Sequence, residues 1–288
     1  MLPTTLQKLV FVIAFMLSAP FATVEAQERP LTLRVVQSGH SLTDGIMEPL
    51  RFLVRSEGVR QVQIDQSTAP GSTMDWRWNN ADPNKQTDAR YDIDKYDVMV
   101  LTERVPLSGT RPWHNSDSQA LQWFKHAWTE GNGGQGAETI LYATWVNVDS
   151  GPTWANGHKD PDSQFTYRQR MPLEMANWKE IQAYVNANRP VGSPPMRMIP
   201  GPILMATIYD EIEGGRAPGL SDISDLFVDQ IHLNEMGSYF IALAHFAVIY
   251  NRDPRGVQNS GAVTPEQALW MQDLVWRVLS EEGVLGGV

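Results

Sequence analysis

Two distant segments of the chain carry the side chains of a nucleophile and a base. Ser41 lies in SGHSLTDG (38–45), between a run typical of a strand and one typical of a helix. A serine at such a turn presents its hydroxyl near a helix N-terminus, which stabilises negative charge. Asp229 stands three residues before His232 in DQIHLN (229–234). Imidazole can take a hydroxyl proton at neutral pH while a carboxylate fixes its tautomer. Together the two segments predict a Ser–His–Asp site.

Each segment also has a simpler interpretation. Ser41 could be an ordinary helix cap, and an Asp-x-x-His pair could cap a helix or bind a metal. The stretch around Ser41 lacks the glycine two residues after the serine that marks a sharper nucleophile turn. The other histidines have no comparable acidic partner, so we expect structural or surface roles for them, with an exception open for His40 beside Ser41. These histidines are His40, His114, His126, His158 and His245.

The elements that must position these groups follow from the hydrophobic pattern. Short β-branched runs alternate with amphipathic stretches, which predicts an α/β domain with a mostly parallel sheet. We predict strands over residues 31–37, 59–64, 96–101, 139–144 and 196–199. We predict helices over residues 42–57, 118–129, 165–188, 234–250 and 265–282. Pro172 should kink or restart the third helix, and Thr264 with Gln267 should form a capping box on the last. Polar loops over 65–95 and 145–163 follow strands, so we expect them at the ligand crevice.

The first 26 residues have the pattern of a cleaved signal peptide. Lys8 precedes a short apolar run over 9–17, and small residues at 24 and 26 predict cleavage after Ala26. We therefore predict a signal peptide at 1–26, a single domain at 27–288, and export to the periplasm or the medium. An uncleaved N-terminal anchor is the alternative. After residue 26 no apolar run reaches the roughly 20 residues of a transmembrane helix.

Composition excludes several classes of protein. The 288 residues are 42% hydrophobic, which is enough for a substantial core. The net charge of −10 and the lack of a basic cluster argue against nucleic acid as a partner. The same charge disfavours an acidic polymer as ligand unless a local basic pocket exists. The chain has no cysteine, so disulfides and a thiol nucleophile are excluded. No pattern indicates a metal or a cofactor.

The order of the motifs resembles the SGNH (GDSL-type) hydrolases. G-x-S-L at 39–42 and D-x-x-H-L-N-x-x-G at 229–237 carry the likeness, which extends over nearly all of residues 27–288. The resemblance implies a three-layer α/β/α sandwich of flavodoxin-like type, with a mostly parallel sheet of roughly five strands. It implies that Ser41 is the nucleophile, His232 its base and Asp229 the partner of the base. It also implies hydrolysis of esters, often of acetyl groups on carbohydrates.

The resemblance further implies an oxyanion hole, for which one donor is missing. Such a hole uses the N–H of the nucleophile, a glycine after the second strand and an asparagine after the third. Gly71 suits the glycine, although a turn glycine after proline is an equally good interpretation. Where Gly-x-Asn would follow the third strand, this chain has Thr102-Glu103-Arg104. Either the Thr102 hydroxyl or a backbone N–H replaces the asparagine, or Glu103 has another task such as binding a sugar hydroxyl.

Tryptophans in the two crevice loops suggest a carbohydrate ligand. Trp76, Trp145 and Trp154 could stack on sugar rings, although most tryptophans serve packing. We therefore expect an exported serine esterase acting on a small-molecule or carbohydrate ester, with a small acyl group such as acetyl. Two alternatives stay open. One is an O-acetyltransferase of an exported polysaccharide, and the other is a non-catalytic carbohydrate-binding protein with the same fold.

Overall fold

The fold is that of a computed structural model, which describes residues 27–153 and 160–285. Its centre is a sheet of five parallel strands in the order β2-β1-β3-β4-β5. The strands are β1 Val35–Gly39, β2 Ile64–Thr68, β3 Val98–Leu101, β4 Glu138–Ala143 and β5 Arg197–Pro200. The predicted α/β class with a parallel sheet between helices is confirmed. The predicted signal peptide at 1–26 lies outside the described residues.

Helices cover both faces of the sheet. They are α1 Ser41–Asp44, α2 Met47–Ser56, α3 Met74–Asn79, α4 Leu107–His114, α5 Ser116–Gly134, α6 Tyr167–Asn188, α7 Gly201–Glu213, α8 Glu235–Tyr250 and α9 Pro265–Glu281. One apolar core joins α2, α7, α8 and α9 to the sheet, and a second joins α3, α5 and α6 to the opposite face. Strand side chains alternate between the two cores, as Val98 and Met99 do in β3. The result is the expected three-layer arrangement.

The first two strands begin later than predicted. β1 starts at Val35 rather than residue 31, and β2 covers Ile64–Thr68 rather than 59–64. β2 is an edge strand with only Ile64 fully buried, so its IDQST sequence lacks the apolar run that indicates a central strand. This shift matters for the site, because the residues that follow β2 begin at Ala69 and lead directly to Gly71.

Three helices in the described part of the chain were not predicted. The helix that was predicted to be interrupted at Pro172 continues past it. The additional helices are α3, α4 and α7. α7 starts at Gly201, where a Cβ atom would lie 2.2 Å from the Ala143 carbonyl oxygen, so glycine is required for this close approach. α6 continues through Pro172 to Asn188. The capping box of α9 is confirmed: Gln267 N–H donates to Thr264 Oγ1 at 3.2 Å, and Thr264 N–H donates to Gln267 Oε1 at 2.9 Å.

Candidate active site

The turn between β1 and α1 places Ser41 at the carboxyl edge of the sheet. β1 ends at Gly39 and α1 begins at Ser41, so a single residue joins strand and helix. A Cβ atom on Gly39 would lie 2.2 Å from Thr43 Oγ1 and 3.2 Å from the Thr102 methyl group. Only glycine therefore permits this tight turn. Ser41 itself is half-buried.

His40, the residue at the turn, is a buried anchor of the backbone. The Leu42 N–H donates to His40 Nδ1 at 3.4 Å, so the ring proton is on Nε2, which donates to the Glu103 carbonyl oxygen at 3.0 Å. Burial, assisted by the charge of Arg77, lowers the pKa of His40 to about 4. His40 is therefore neutral at physiological pH, with both ring nitrogens engaged. It links the turn after β1 to the chain after β3 rather than acting as a base.

Ser41, His232 and Asp229 form a continuous hydrogen-bonded chain. Ser41 Oγ lies 2.9 Å from His232 Nε2, and His232 Nδ1 lies 2.7 Å from Asp229 Oδ2. An ionised carboxylate only accepts hydrogen bonds, so the neutral ring carries its proton on Nδ1 and leaves Nε2 free to accept the Ser41 proton. These distances lie within the range required for proton transfer between a nucleophile and its base.

The loop that carries His232 is held in place by hydrogen bonds from its own backbone. The Ile231 and His232 N–H groups both donate to Asp229 Oδ1 at 2.8 Å. Hydrogen bonds from His232 and Ile231 hold the pKa of the Asp229 carboxyl at about 2, below its ordinary value, although the group is largely exposed. Phe227 and Leu233 pair across the base of the loop as an antiparallel bridge. The carboxylate therefore orders the loop and orients the imidazole.

Trp145 packs beneath the loop that carries His232, and its complete burial prevents contact with a substrate. Its side chain is fully buried, and its indole N–H donates to the Ile231 carbonyl oxygen at 2.9 Å. The predicted stacking of Trp145 on a sugar is therefore wrong, because β4 directs the residue into the core beneath the loop. The neighbouring Val148 N–H donates to the Gln230 carbonyl oxygen at 2.7 Å. Trp76 is 45% exposed and remains available, and Trp154 lies outside the described residues.

The N–H groups of Ser41 and Gly71 are two of the donors predicted for an oxyanion hole. Neither the Ser41 N–H nor the Gly71 N–H has a hydrogen-bond partner within 27–153 and 160–285. Gly71 is exposed and has a φ of 63°, a left-handed conformation that favours glycine. Thr102, by contrast, does not provide the predicted donor. It is buried, its N–H donates to the Ser38 carbonyl oxygen at 3.2 Å, and its hydroxyl lies against the Glu103 carbonyl oxygen.

Glu103 has a structural task, so its predicted contact with substrate is wrong. The side chain is fully buried, and Oε1 accepts the Met74 N–H at 3.0 Å and the Arg104 N–H at 2.7 Å. Burial raises the pKa of the Glu103 carboxyl, and the nearby buried Arg77 opposes this effect. Arg77 bonds Ser72, Ser38 and the Thr102 carbonyl oxygen. Each of these two buried side chains, through its own hydrogen bonds, joins α3 to the end of β3.

The fold contains a second His–Asp pair that the sequence does not indicate. The absence of an acidic partner for His114 is wrong: its Nδ1 lies 3.1 Å from Asp75 Oδ2, across 39 positions of the chain. Its Nε2 lies 3.2 Å from Arg104 Nη2. Because arginine can only donate, Nε2 accepts and the ring proton points at Asp75. No sequence signal joins these three residues, since β3, α3 and α4 bring them together only in the fold.

Neither a metal-binding group nor a membrane-spanning helix is found in the described part of the chain. Within 27–153 and 160–285, no three His, Cys, Asp or Glu side chains are grouped so that they could hold a metal ion. Over the same residues, no helix has the length and apolar character needed to cross a bilayer.

Comparison with known proteins supports the fold but not a family. No family model matches the sequence, and no curated protein is significantly similar to it. A crystal structure of a DUF4886 family protein from Bacteroides uniformis has a TM-score of 0.63 at 15% identity, covering 89% of this chain and 98% of that one. A protein from Slackia heliotrinireducens described as "a putative SGNH hydrolase" has a TM-score of 0.48 at 16% identity, covering 75% and 97%. At these identities the first likeness concerns the fold alone.

Proposed function

We propose that this protein is a serine esterase in which Ser41 attacks the carbonyl carbon of an ester. The supporting observation is the chain of contacts from Ser41 Oγ to His232 Nε2 at 2.9 Å and from His232 Nδ1 to Asp229 at 2.7 Å. Such a chain is the requirement for making a serine hydroxyl nucleophilic at neutral pH. The open N–H groups of Ser41 and Gly71 suit the oxyanion that the attack creates.

The reaction has two halves that share the same groups. His232 Nε2 takes the Ser41 proton as the new C–O bond forms, and Asp229 stabilises the resulting imidazolium. His232 then returns this proton to the leaving alcohol oxygen as the ester C–O bond breaks, which leaves an acyl-enzyme. In the second half His232 takes a proton from water as the water oxygen attacks the acyl carbon. The bond between Ser41 Oγ and the acyl carbon then breaks, His232 returns the proton to Ser41 Oγ, and the acid leaves.

We extend the proposal to a small acyl group, such as acetyl, on a carbohydrate, and to an exported protein. Trp76 is 45% exposed and Trp113 is 80% exposed, and each adjoins one member of the Asp75–His114 contact. Flat indole faces in this position suit a sugar ring. Export follows from the sequence pattern of residues 1–26 and is tested by N-terminal sequencing of secreted protein, which should begin at Gln27.

The decisive experiment is active-site labelling combined with hydrolysis. A fluorophosphonate probe should label the purified protein at Ser41, identified by mass spectrometry of the peptide. Ser41→Ala should abolish both labelling and the hydrolysis of p-nitrophenyl acetate. Ser118→Ala, an exposed serine on α5, is the matched control and should change neither. If the probe does not label the wild type, or if Ser41→Ala leaves the labelling unchanged, the proposal is contradicted. A non-catalytic carbohydrate-binding role would then remain.

Product analysis separates hydrolysis from transfer. With p-nitrophenyl acetate and an oligosaccharide acceptor, an esterase should release free acetate in an amount equal to the nitrophenol. Acetylated oligosaccharide as the main product would instead identify an O-acetyltransferase using the same three residues.

A further inference from the structure

Arg104 follows the strand that neighbours the one leading to the proposed nucleophile. Ser38 of β1 is opposite Leu101 of β3, and the strands run parallel. Two residues further on, His40 Nε2 still contacts the Glu103 carbonyl oxygen at 3.0 Å. Neighbouring strands are about 4.8 Å apart. Ser41 and Arg104, each the next residue, therefore follow neighbouring strands at the carboxyl edge of the sheet.

The guanidinium of Arg104 is a cation without a carboxylate. It is half-buried, and among residues 27–153 and 160–285 it forms no ion pair. Its side-chain contact is with His114, whose ring is neutral because Nε2 accepts from arginine. A guanidinium has five N–H donors, so most of its capacity is unused by this contact. Partial burial of an unpaired charge is unfavourable, and an external anion would relieve that cost.

The cation is held in a defined orientation. Asp75 accepts from the Thr73 hydroxyl, lies 3.1 Å from His114 Nδ1 and so fixes the imidazole that faces Arg104. The negative charge of Asp75 is engaged by these groups and by the Trp76 N–H at 2.8 Å rather than by Arg104 itself. Asp75 and His114 therefore orient Arg104 without neutralising its charge. Its field also extends into the site, since Arg104 contributes to the lowered pKa of His40.

From this juxtaposition we propose that Arg104 binds a carboxylate on the substrate, so that the preferred ester is one on an acidic sugar such as a uronic acid. The inference rests on the proposed esterase function and specifies its substrate class. Guanidinium and carboxylate match in geometry and can form two parallel hydrogen bonds. In a chain of net charge −10, which repels acidic polymers at long range, a fixed local cation is what would make such a ligand acceptable.

The test compares two esters that differ in one charge. O-acetylated methyl glucuronoside and O-acetylated methyl glucoside are hydrolysed by wild type, Arg104→Gln, Arg104→Lys and Arg189→Gln. Arg189 is an exposed arginine at the end of α6 that bonds backbone carbonyls, so its variant removes the same charge elsewhere. We expect wild type to prefer the glucuronoside. Arg104→Gln should lower kcat/KM for the glucuronoside about 10- to 100-fold and for the glucoside less than about 3-fold.

The remaining outcomes are equally decisive. Arg104→Lys should retain part of the preference, and Arg189→Gln should retain all of it. An equal loss on both esters would assign Arg104 to the oxyanion or to folding and overturn the proposal, as would a wild-type preference for the glucoside or an unchanged preference in Arg104→Gln.

Binding measurements keep this inference separate from the esterase proposal. Calorimetry of Ser41→Ala with methyl glucuronoside and methyl glucoside measures recognition without turnover. If wild type hydrolyses neither ester, the esterase proposal fails. The inference about Arg104 then stands only if methyl glucuronoside binds more tightly than methyl glucoside and this binding is lost in the double variant Ser41→Ala, Arg104→Gln. Equal binding of both sugars would overturn it even in an active esterase.

Discussion

The molecule contains two His–Asp pairs with the same local chemistry and different third partners. His232 contacts Asp229 at 2.7 Å through Nδ1, and His114 contacts Asp75 at 3.1 Å through the same ring atom. In both, the carboxylate directs the ring proton to Nδ1 and leaves Nε2 as an acceptor. At His232 this acceptor meets the Ser41 hydroxyl, whereas at His114 it meets Arg104.

The third partner decides what each pair can do. A serine hydroxyl can give up its proton to imidazole and become a nucleophile. A guanidinium keeps its proton at any physiological pH, so His114 can only hold the arginine in place. An Asp–His contact is therefore weak support for a catalytic base until the group at Nε2 is known. The following predictions test this difference, starting with the largest expected effect.

Removing each imidazole should separate the two pairs most strongly. His232→Ala should lower kcat for p-nitrophenyl acetate by about 10⁵-fold or more, because Ser41 loses its base. His114→Ala should stay within about tenfold on this uncharged ester, since it only releases Arg104. Steady-state kinetics measures both, with circular dichroism as a control for folding. Similar losses in the two variants would contradict the assignment of His232 as the base.

Neutralising each carboxylate should give a smaller but parallel contrast. Asp229→Asn should lower kcat about 10²- to 10⁴-fold, because an amide no longer fixes the Nδ1–H tautomer or stabilises the imidazolium. Asp75→Asn should leave kcat for a neutral ester nearly unchanged and impair the acidic substrate instead. The comparison uses the paired acetylated glycosides, and an equal loss for Asp75→Asn on both would remove the functional distinction between the carboxylates.

The pH profile should show one ionisation on its acid side. The pKa of Asp229 is about 2, so this carboxylate is charged throughout the working range, and its hydrogen bonds are lost only as pH falls towards 2. The pKa of His40 is about 4, so this ring also stays neutral above that pH. As pH falls in the range above about 5, log kcat/KM should therefore decrease with a slope of no more than one proton, because neither Asp229 nor His40 takes up a proton there. A slope of two would show that a second group titrates with the base.

The smallest expected effect concerns the contact between Trp145 and the loop that carries His232. Trp145→Phe removes the indole donor to the Ile231 carbonyl oxygen and leaves that oxygen without this partner. We expect a loss of about 1 kcal/mol in the free energy of unfolding and a several-fold lower kcat, since the imidazole is less well oriented. Trp76→Phe is the exposed control and should leave stability unchanged. Urea unfolding and kinetics on p-nitrophenyl acetate measure both effects.

Elements with a strong local signal were predicted well, and elements that depend on their neighbours were not. The capping box of Thr264 and Gln267 is a local pattern, and it forms as predicted. β2 was placed too early because an edge strand needs no apolar run. Helix α3 was missed because its first N–H group, that of Met74, is bonded from outside the helix by the buried Glu103 carboxylate. Short helices stabilised by tertiary contacts leave little trace in sequence periodicity.

Residue types and order were enough to nominate Ser41, His232 and Asp229 and to place them on an α/β fold, because β-strand and helix periods and the chemistry of imidazole are local properties. Only the tertiary structure brought Ser41 and His232, 191 positions apart, to 2.9 Å. It also moved Trp145 and Glu103 from the crevice into the interior and gave His114 a partner. These outcomes depend on sheet order and register, which arise from packing of the whole chain rather than from any single segment.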